Sequence, residues 1–394
     1  MADEPRFSLQ ALVTRAILLR MAVAIALHVT VAPELFAPDQ QTYHGVAASL
    51  ASYWEGLTIV FPPRLTQQSG PVGYFYLVAG IYAVFGPFAL LPKLLNSVVG
   101  GLNVGLIHDI ALRTTDSPGV AARAARYAAY FPSLVLWSAL NIRDVWIIGL
   151  VLLICREALL LQERMSYAAL LRLAAAILLV TKFRDYIFLA VTAPMLVSFV
   201  IRKRQHLIRN LVVGMLLASV VIYLDQRLGS QRHLRTLDFE ELQYLRRWNT
   251  VGAASSFGQD VDISTPGKAL AFLPIGLAYF LLAPFPWSIS GVRQALAMPE
   301  MLFFYSLLPA IFHGARWLVR ERLTQGLLLL LLAAGLTFGY ALGEGNAGTA
   351  YRHRAQVLGF YLILGAAGVE LRQRARGRAA DAALAASRPS VGMA

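Results

Sequence analysis

LLLLLLAAGLTFGY, residues 327–340, carries no charge and no proline, and it is bounded by Arg320 and Arg322 on one side and Gly343-Glu344 on the other. With its flanks it reaches the roughly 20 residues that a helix needs to cross the hydrocarbon of a bilayer. The same pattern recurs at Ile17–Val31, Tyr167–Val180, Leu211–Leu224 and Val357–Val369. Of 394 residues, 57% are apolar and only 14% charged, with a mean hydropathy of +0.58. That leaves too little charge to solvate a soluble domain of this size. The sequence therefore predicts an all-α polytopic membrane protein with about ten transmembrane helices.

The net charge of +13 is carried almost entirely by arginine, in short blocks between apolar runs. This is the positive-inside pattern of membrane proteins. No basic groove or aromatic-basic module accompanies it, so a nucleic-acid partner is not expected. Cytoplasmic blocks are expected at Arg6 to Arg20, at Arg113, Arg123 and Arg126, at Arg156 to Arg164, at Arg202 to Arg209, and at Arg316 to Arg322. No small-residue cleavage site follows the first apolar run, so an uncleaved first span is expected. Arg372 to Arg378 open a polar, Ala-rich tail over 371–394 that reads as disordered. The single cysteine, Cys155, excludes a disulfide or a cysteine metal cluster.

Five outer segments follow from this alternation: Pro33–Leu90, Asn141–Asp144, Lys182–Asp185, Gln226–Pro299 and Gly343–Arg354. The long outer loops are thus 33–90 and 226–299, inserted in one membrane domain over 1–370. Pro71–Phe88 and Ala269–Pro286 are apolar, but counting either as a crossing puts an arginine block on the wrong side. Both are expected to be re-entrant or interfacial helices. Asp39, Tyr43, Ala47, Leu50 and Trp54 recur at helical spacing and predict a surface helix.

Ionisable residues at membrane depth mark functional sites by default, because their burial costs several kcal/mol. Four groups fall on the same outer face. Asp39 follows the first span, with Tyr43 one turn later and His44 beside it. Its carboxylate could take a proton from an attacking hydroxyl, hold a divalent ion, or simply cap a helix. Asp144 ends the charged knot Asn141-Ile142-Arg143-Asp144 and could cap the next span or share that ion. Lys182 and Arg184 could hold a phosphate, or snorkel to the interface. Arg352, His353 and Arg354 open a span on the side where arginine is disfavoured, preceded by Gly345, Gly348 and Thr349. Glycines let backbone N–H groups approach an anion. Two carboxylates and several cationic clusters point to a ligand with a phosphate head and a long apolar tail.

These residues resemble the GT-C superfamily of membrane glycosyltransferases, in the glycosyltransferase family 39-like branch near protein mannosyltransferases and the lipid A aminoarabinose transferase. The likeness rests on Asp39 followed by Tyr43, on Phe85-Gly86 ending a re-entrant segment, and on Lys93-Leu94-Leu95-Asn96-Ser97. It continues with Asp144 after Phe131-Pro132 and Trp137, and with Arg352 and Arg354 before the last span. Gln40 departs from the acidic residue that often follows the first Asp, and Gln68-Ser69-Gly70-Pro71 departs from the aminoarabinose branch.

The resemblance implies a transferase of the cytoplasmic (inner) membrane. It would move a sugar from a polyprenyl-phosphate carrier to a glycan, lipid or protein acceptor on the outer face. Asp39 and Asp144 would be catalytic, with Mg or Mn as a metal that both could hold. Arg352, Arg354, His353, Lys182, Arg184 and Arg143 would bind the donor phosphate, and Tyr43 and His44 the substrate. A polymerase or ligase using a diphosphate-linked glycan fits the same architecture. A lipid or solute transporter is the rival of another class, but it would be expected to show inverted repeats and polar residues at mid-membrane.

Overall fold

The computed structural model describes residues 7–31, 35–67, 72–184, 187–201, 239–250, 255–289 and 291–386, and the described residues are all-α. The helices are α1 (Leu9–Thr30), α2 (Asp39–Trp54), α3 (Pro63–Gln67), α4 (Gly73–Phe85), α5 (Leu90–Thr115), α6 (Pro118–Tyr130), α7 (Pro132–Ser138), α8 (Asp144–Glu163), α9 (Tyr167–Phe183) and α10 (Ile187–Ile201). They continue with α11 (Phe239–Thr250), α12 (Pro266–Leu282), α13 (Val292–Glu321), α14 (Leu323–Gly343) and α15 (Ala347–Ala386). The arginine block 202–209, the apolar run 211–224, the outer-loop residues 226–238, Asp185, and 68–71 lie outside the described residues.

The protein is a multi-pass membrane protein. Among the described residues α1, α5, α13, α14 and α15 are long and apolar enough to cross a bilayer. The expected ten is not reached by that criterion. Helix α8 carries Arg156 and Glu157 in its second half, Pro132 separates α6 from α7, and α9 and α10 have 17 and 15 residues. Helix α4, with 13 residues, is about 20 Å long, too short for the ~30 Å of hydrocarbon. Gly86 ends it at φ 81, a left-handed conformation that glycine adopts without a Cβ clash.

Close helix contacts run through small residues, as in membrane bundles generally. A Cβ at Gly101 would collide with Ile17 where α5 meets α1. Cβ atoms at Gly314 and Gly368 would collide with the carbonyls of Leu364 and Ala310, where α13 meets α15. The predicted surface helix is α2, which buries Tyr43, Ala47 and Leu50. Tyr43 packs on Tyr74 and Phe75 of α4, at ring-centroid distances of 4.8 and 5.0 Å.

The charged groups separate into two ends. At one end Arg113 of α5 pairs with Asp109 and Glu163, Arg156 of α8 with Asp109 and Glu157, and Arg172 of α9 with Glu157. Arg123 and Arg374 pair with Glu370 at that end, and Arg322 with Asp116. Blocks expected on one membrane face thus do meet. Two expectations need correction. Arg20 is not part of a cytoplasmic block: it is 1% exposed and donates to the carbonyls of Ala128 and Ala129 at 2.9 and 2.8 Å. There it satisfies the last turn of α6, ahead of the break at Pro132. The tail over 371–386 is helical instead of disordered. Alanine and arginine favour helix, and Glu370 and Arg374 anchor it to Arg123 and Ser117; residues 387–394 lie outside the described residues.

If the two ends face opposite sides of the membrane, single cysteines at Asp39 and Thr324 in a Cys155→Ser background label from opposite sides. Position 39 should react with an impermeant maleimide in intact cells and position 324 only after permeabilisation. Labelling of both from one side contradicts the arrangement.

Candidate active site

Asp144 begins α8 and is wholly buried. The turn ahead of it is fixed by Asn96 of α5. Asn96 Nδ2 lies 2.7 Å from the carbonyl of Leu140, 3.0 Å from that of Ile142 and 2.8 Å from the Tyr74 hydroxyl. Tyr74 donates onward to Asn141 Oδ1 at 2.8 Å, and Trp146 Nε1 donates to Asn96 Oδ1 at 2.8 Å. Gln40 of α2 accepts from the Asn141 backbone N–H at 3.0 Å. One buried amide network therefore ties α2, α4, α5 and α8 together and sets the position of the carboxylate.

Arg352 of α15 joins the two aspartates. Its Nε and Nη2 donate to Asp144 Oδ2 at 2.9 and 2.6 Å, and its Nη1 donates to Asp39 Oδ2 at 2.8 Å. Gln356, one turn after Arg352 on the same helix face, donates to Asp144 Oδ1 at 3.0 Å. Arg184 Nη2 stands 3.8 Å from the same Oδ1. Asp39, half exposed, takes the outer edge of the guanidinium. Asp39 and Asp144 are the first residues of α2 and α8, after Pro38 and Arg143, neither of which makes a side-chain cap bond. In this arrangement the Oδ2 atoms of both Asp39 and Asp144 accept from the guanidinium between them.

A cavity of about 1380 Å³ opens beside this cluster. Asp39, Arg143, Arg184, Glu344, Arg352 and His353 line its charged end. Ala190, Ala193 and Pro194 of α10 and Gly335, Leu336 and Gly339 of α14 form an apolar wall. The two helices touch at Gly335, where a Cβ would fall 3.1 Å from Pro194 and 3.3 Å from the Ala190 carbonyl, whereas a Cβ at Gly339 would meet nothing within 4 Å.

The other sequence candidates fall elsewhere. Arg354 follows Arg352 by two residues, about 200° around the helix, and so points away from Asp144. It is 2% exposed and donates to the carbonyls of Leu281 and Ala283 at 2.8 and 3.0 Å, at the end of α12. Lys182, Tyr43 and His44 do not line the cavity; His44 Nδ1 is 2.8 Å from the Tyr82 hydroxyl. Three participants escaped the sequence reading: Gln356, Glu344, which pairs with His353 Nδ1, and Tyr340, which donates to Gln356 Oε1. A Glu nine residues before a His gives no sign of that pair until the turn between α14 and α15 folds them together.

The fold is shared with solved structures of ArnT and of an archaeal oligosaccharyltransferase. ArnT from Cupriavidus metallidurans bound to undecaprenyl phosphate matches with a TM-score of 0.58 and 14% identity, over 90% of this chain and 59% of that one. The Archaeoglobus fulgidus oligosaccharyltransferase in the apo form matches at 0.56 and 14% identity, over 96% of this chain and 52% of the other. AglB from Archaeoglobus fulgidus in complex with an inhibitory peptide and a dolichol-phosphate matches at 0.56 and 16% identity, over 95% and 52%. The chain thus spans little more than half the length of these solved proteins. No family profile matches the sequence, and no curated protein matches it significantly.

The two aspartates should differ sharply on removal. Asp144→Ala removes the buried partner of Arg352 Nε and Nη2 and should lower stability by about 3–5 kcal/mol. Asp39→Ala, at a half-exposed pair, should cost about 1 kcal/mol or less. Thermal unfolding in detergent distinguishes them, and equal losses contradict the assigned roles.

Proposed function

We propose that the protein is a glycosyltransferase of the cytoplasmic membrane, moving a sugar from a polyprenyl-phosphate donor to an acceptor on the outer face. The observation that carries this reading is one cavity with a cationic end and a long apolar wall. Arginine clusters suit phosphate, and the apolar wall formed by α10 and α14 suits a prenyl chain. The solved proteins of this fold that hold undecaprenyl phosphate and dolichol-phosphate support it. The branch near the aminoarabinose and protein mannosyl transferases remains part of the proposal.

The chemistry is a single displacement. The acceptor hydroxyl attacks the anomeric carbon, the bond from that carbon to the phosphate oxygen breaks, and the configuration inverts. Arg352, Arg184 and Arg143 stabilise the negative charge that develops on the departing polyprenyl phosphate. Asp39 takes the hydroxyl proton. The fixed carboxylate of Asp144 holds Arg352 by Nε and Nη2, which leaves Nη1 as the edge that can change partner. A donor phosphate arriving at Nη1 displaces Asp39 and frees its carboxylate to act as the base. Asp144 is in this reading the anchor of the arginine and does not touch the acceptor.

Asp39→Asn should therefore split binding from turnover. Transfer from a polyprenyl-phosphate sugar should fall by about two orders of magnitude or more, as for a lost general base. Undecaprenyl phosphate should bind more tightly, by up to about fivefold, because a competing exposed charge is gone. Radiolabelled transfer in proteoliposomes and calorimetric titration check the two arms. Near-normal turnover would remove Asp39 from the chemistry.

A further inference from the structure

The phosphate and prenyl chain account for the arginines and for the apolar wall, but two other groups lining the same cavity are left unmatched. Glu344 is 3% exposed; one carboxylate oxygen, Oε1, pairs with His353 Nδ1, while Oε2 makes no hydrogen bond to any described residue. Trp137 is 5% exposed, and its indole Nε1 likewise has no partner among them. Buried polar atoms are nearly always paired, so each such orphan needs an explanation. Glu344 also sits just past the C-terminus of α14, where the helix dipole disfavours a carboxylate. Helix stability therefore does not explain its presence.

The two orphans are complementary, one an acceptor and one a donor. A cation would satisfy Glu344 and leave Trp137 unpaired. A phosphate would satisfy Trp137 and be repelled by Glu344. A neutral polyhydroxyl group satisfies both, since each hydroxyl donates one hydrogen bond and accepts others. Aromatic rings stand next to both groups: Tyr351 at 6.1 Å from the Trp137 ring, and Tyr340 at 5.1 Å from that of His353. Such rings can pack on the C–H face of a sugar. His353 meanwhile holds the carboxylate through Oε1, so that Oε2 is the oxygen left to take a partner.

Resting on the glycosyltransferase reading above, we propose that Glu344 and Trp137 determine specificity for the transferred glycosyl unit. Glu344 Oε2 accepts from a sugar hydroxyl, Trp137 Nε1 donates to a sugar oxygen, and His353 is the residue that positions Glu344. The test titrates purified full-length protein with bare undecaprenyl phosphate and with its glucosyl, mannosyl and galactosyl derivatives. Wild type should bind one of the sugar-bearing lipids more tightly than the bare one. Glu344→Gln should weaken that lipid about tenfold or more, and Trp137→Phe, which keeps the ring, about threefold or more. Both variants should hold the bare lipid as wild type does, which a merely misfolded protein would not. If both keep the wild-type preference, or if wild type prefers no sugar-bearing lipid, the assignment is overturned while the lipid-phosphate reading stands. If wild type does not bind the bare lipid, that reading falls and this one with it.

Discussion

The contact between Asp144 and Arg352 carries the site. A carboxylate with no exposure to solvent is tolerable inside a membrane bundle only with a charge partner and further hydrogen bonds. Here the partner comes from 208 residues away, and Gln356 supplies the second donor from the same helix face. The pair fixes the start of α8 against the start of α15. Through the remaining edge of the guanidinium it also draws in Asp39 and helix α2. The catalytic proposal depends on that asymmetry, because a guanidinium anchored on two nitrogens has one left to exchange.

Other buried arginines do a different job. Arg20 donates to carbonyls at the end of α6 and Arg354 to those at the end of α12, while Arg246 donates to the loop carbonyls of Phe257 and Gly258. Where a helix stops inside a bundle, its last carbonyls have no water to turn to. An arginine with five donors answers several of them at once. The prolines at 132 and 284 follow two of these ends. Arginine in this chain therefore serves as block charge at one end of the bundle and as cap at broken helices, and in the proposed reading as anion site in the cavity.

Much of this could be read in the sequence. The apolar runs gave the membrane class, and the spacing of Tyr43, Ala47 and Leu50 gave α2. Asp39, Asp144 and Arg352 stood out as charges at the wrong depth. Their meeting could not be read, because no local pattern links positions so far apart. Arg354 was grouped with Arg352 by adjacency, and helical geometry separated them: two residues turn the side chain to the opposite face. The tail was read from its charge, while alanine-rich composition and anchors at Glu370 and Arg374 extend it as helix. Glu344 and Gln356 are unremarkable in sequence, and only folding shows the former at the cavity and the latter on Asp144.

The central claim is that the donor phosphate takes the Arg352 edge now held by Asp39. The most direct measurement is a structure of the protein with undecaprenyl phosphate, solved by electron cryomicroscopy in nanodiscs. The account predicts a phosphate oxygen within hydrogen-bond distance of Arg352 Nη1, the Asp144 contacts to Nε and Nη2 intact, Asp39 displaced, and the prenyl chain along the wall formed by α10 and α14. A phosphate bound elsewhere, with Asp39 still on Nη1, would contradict it.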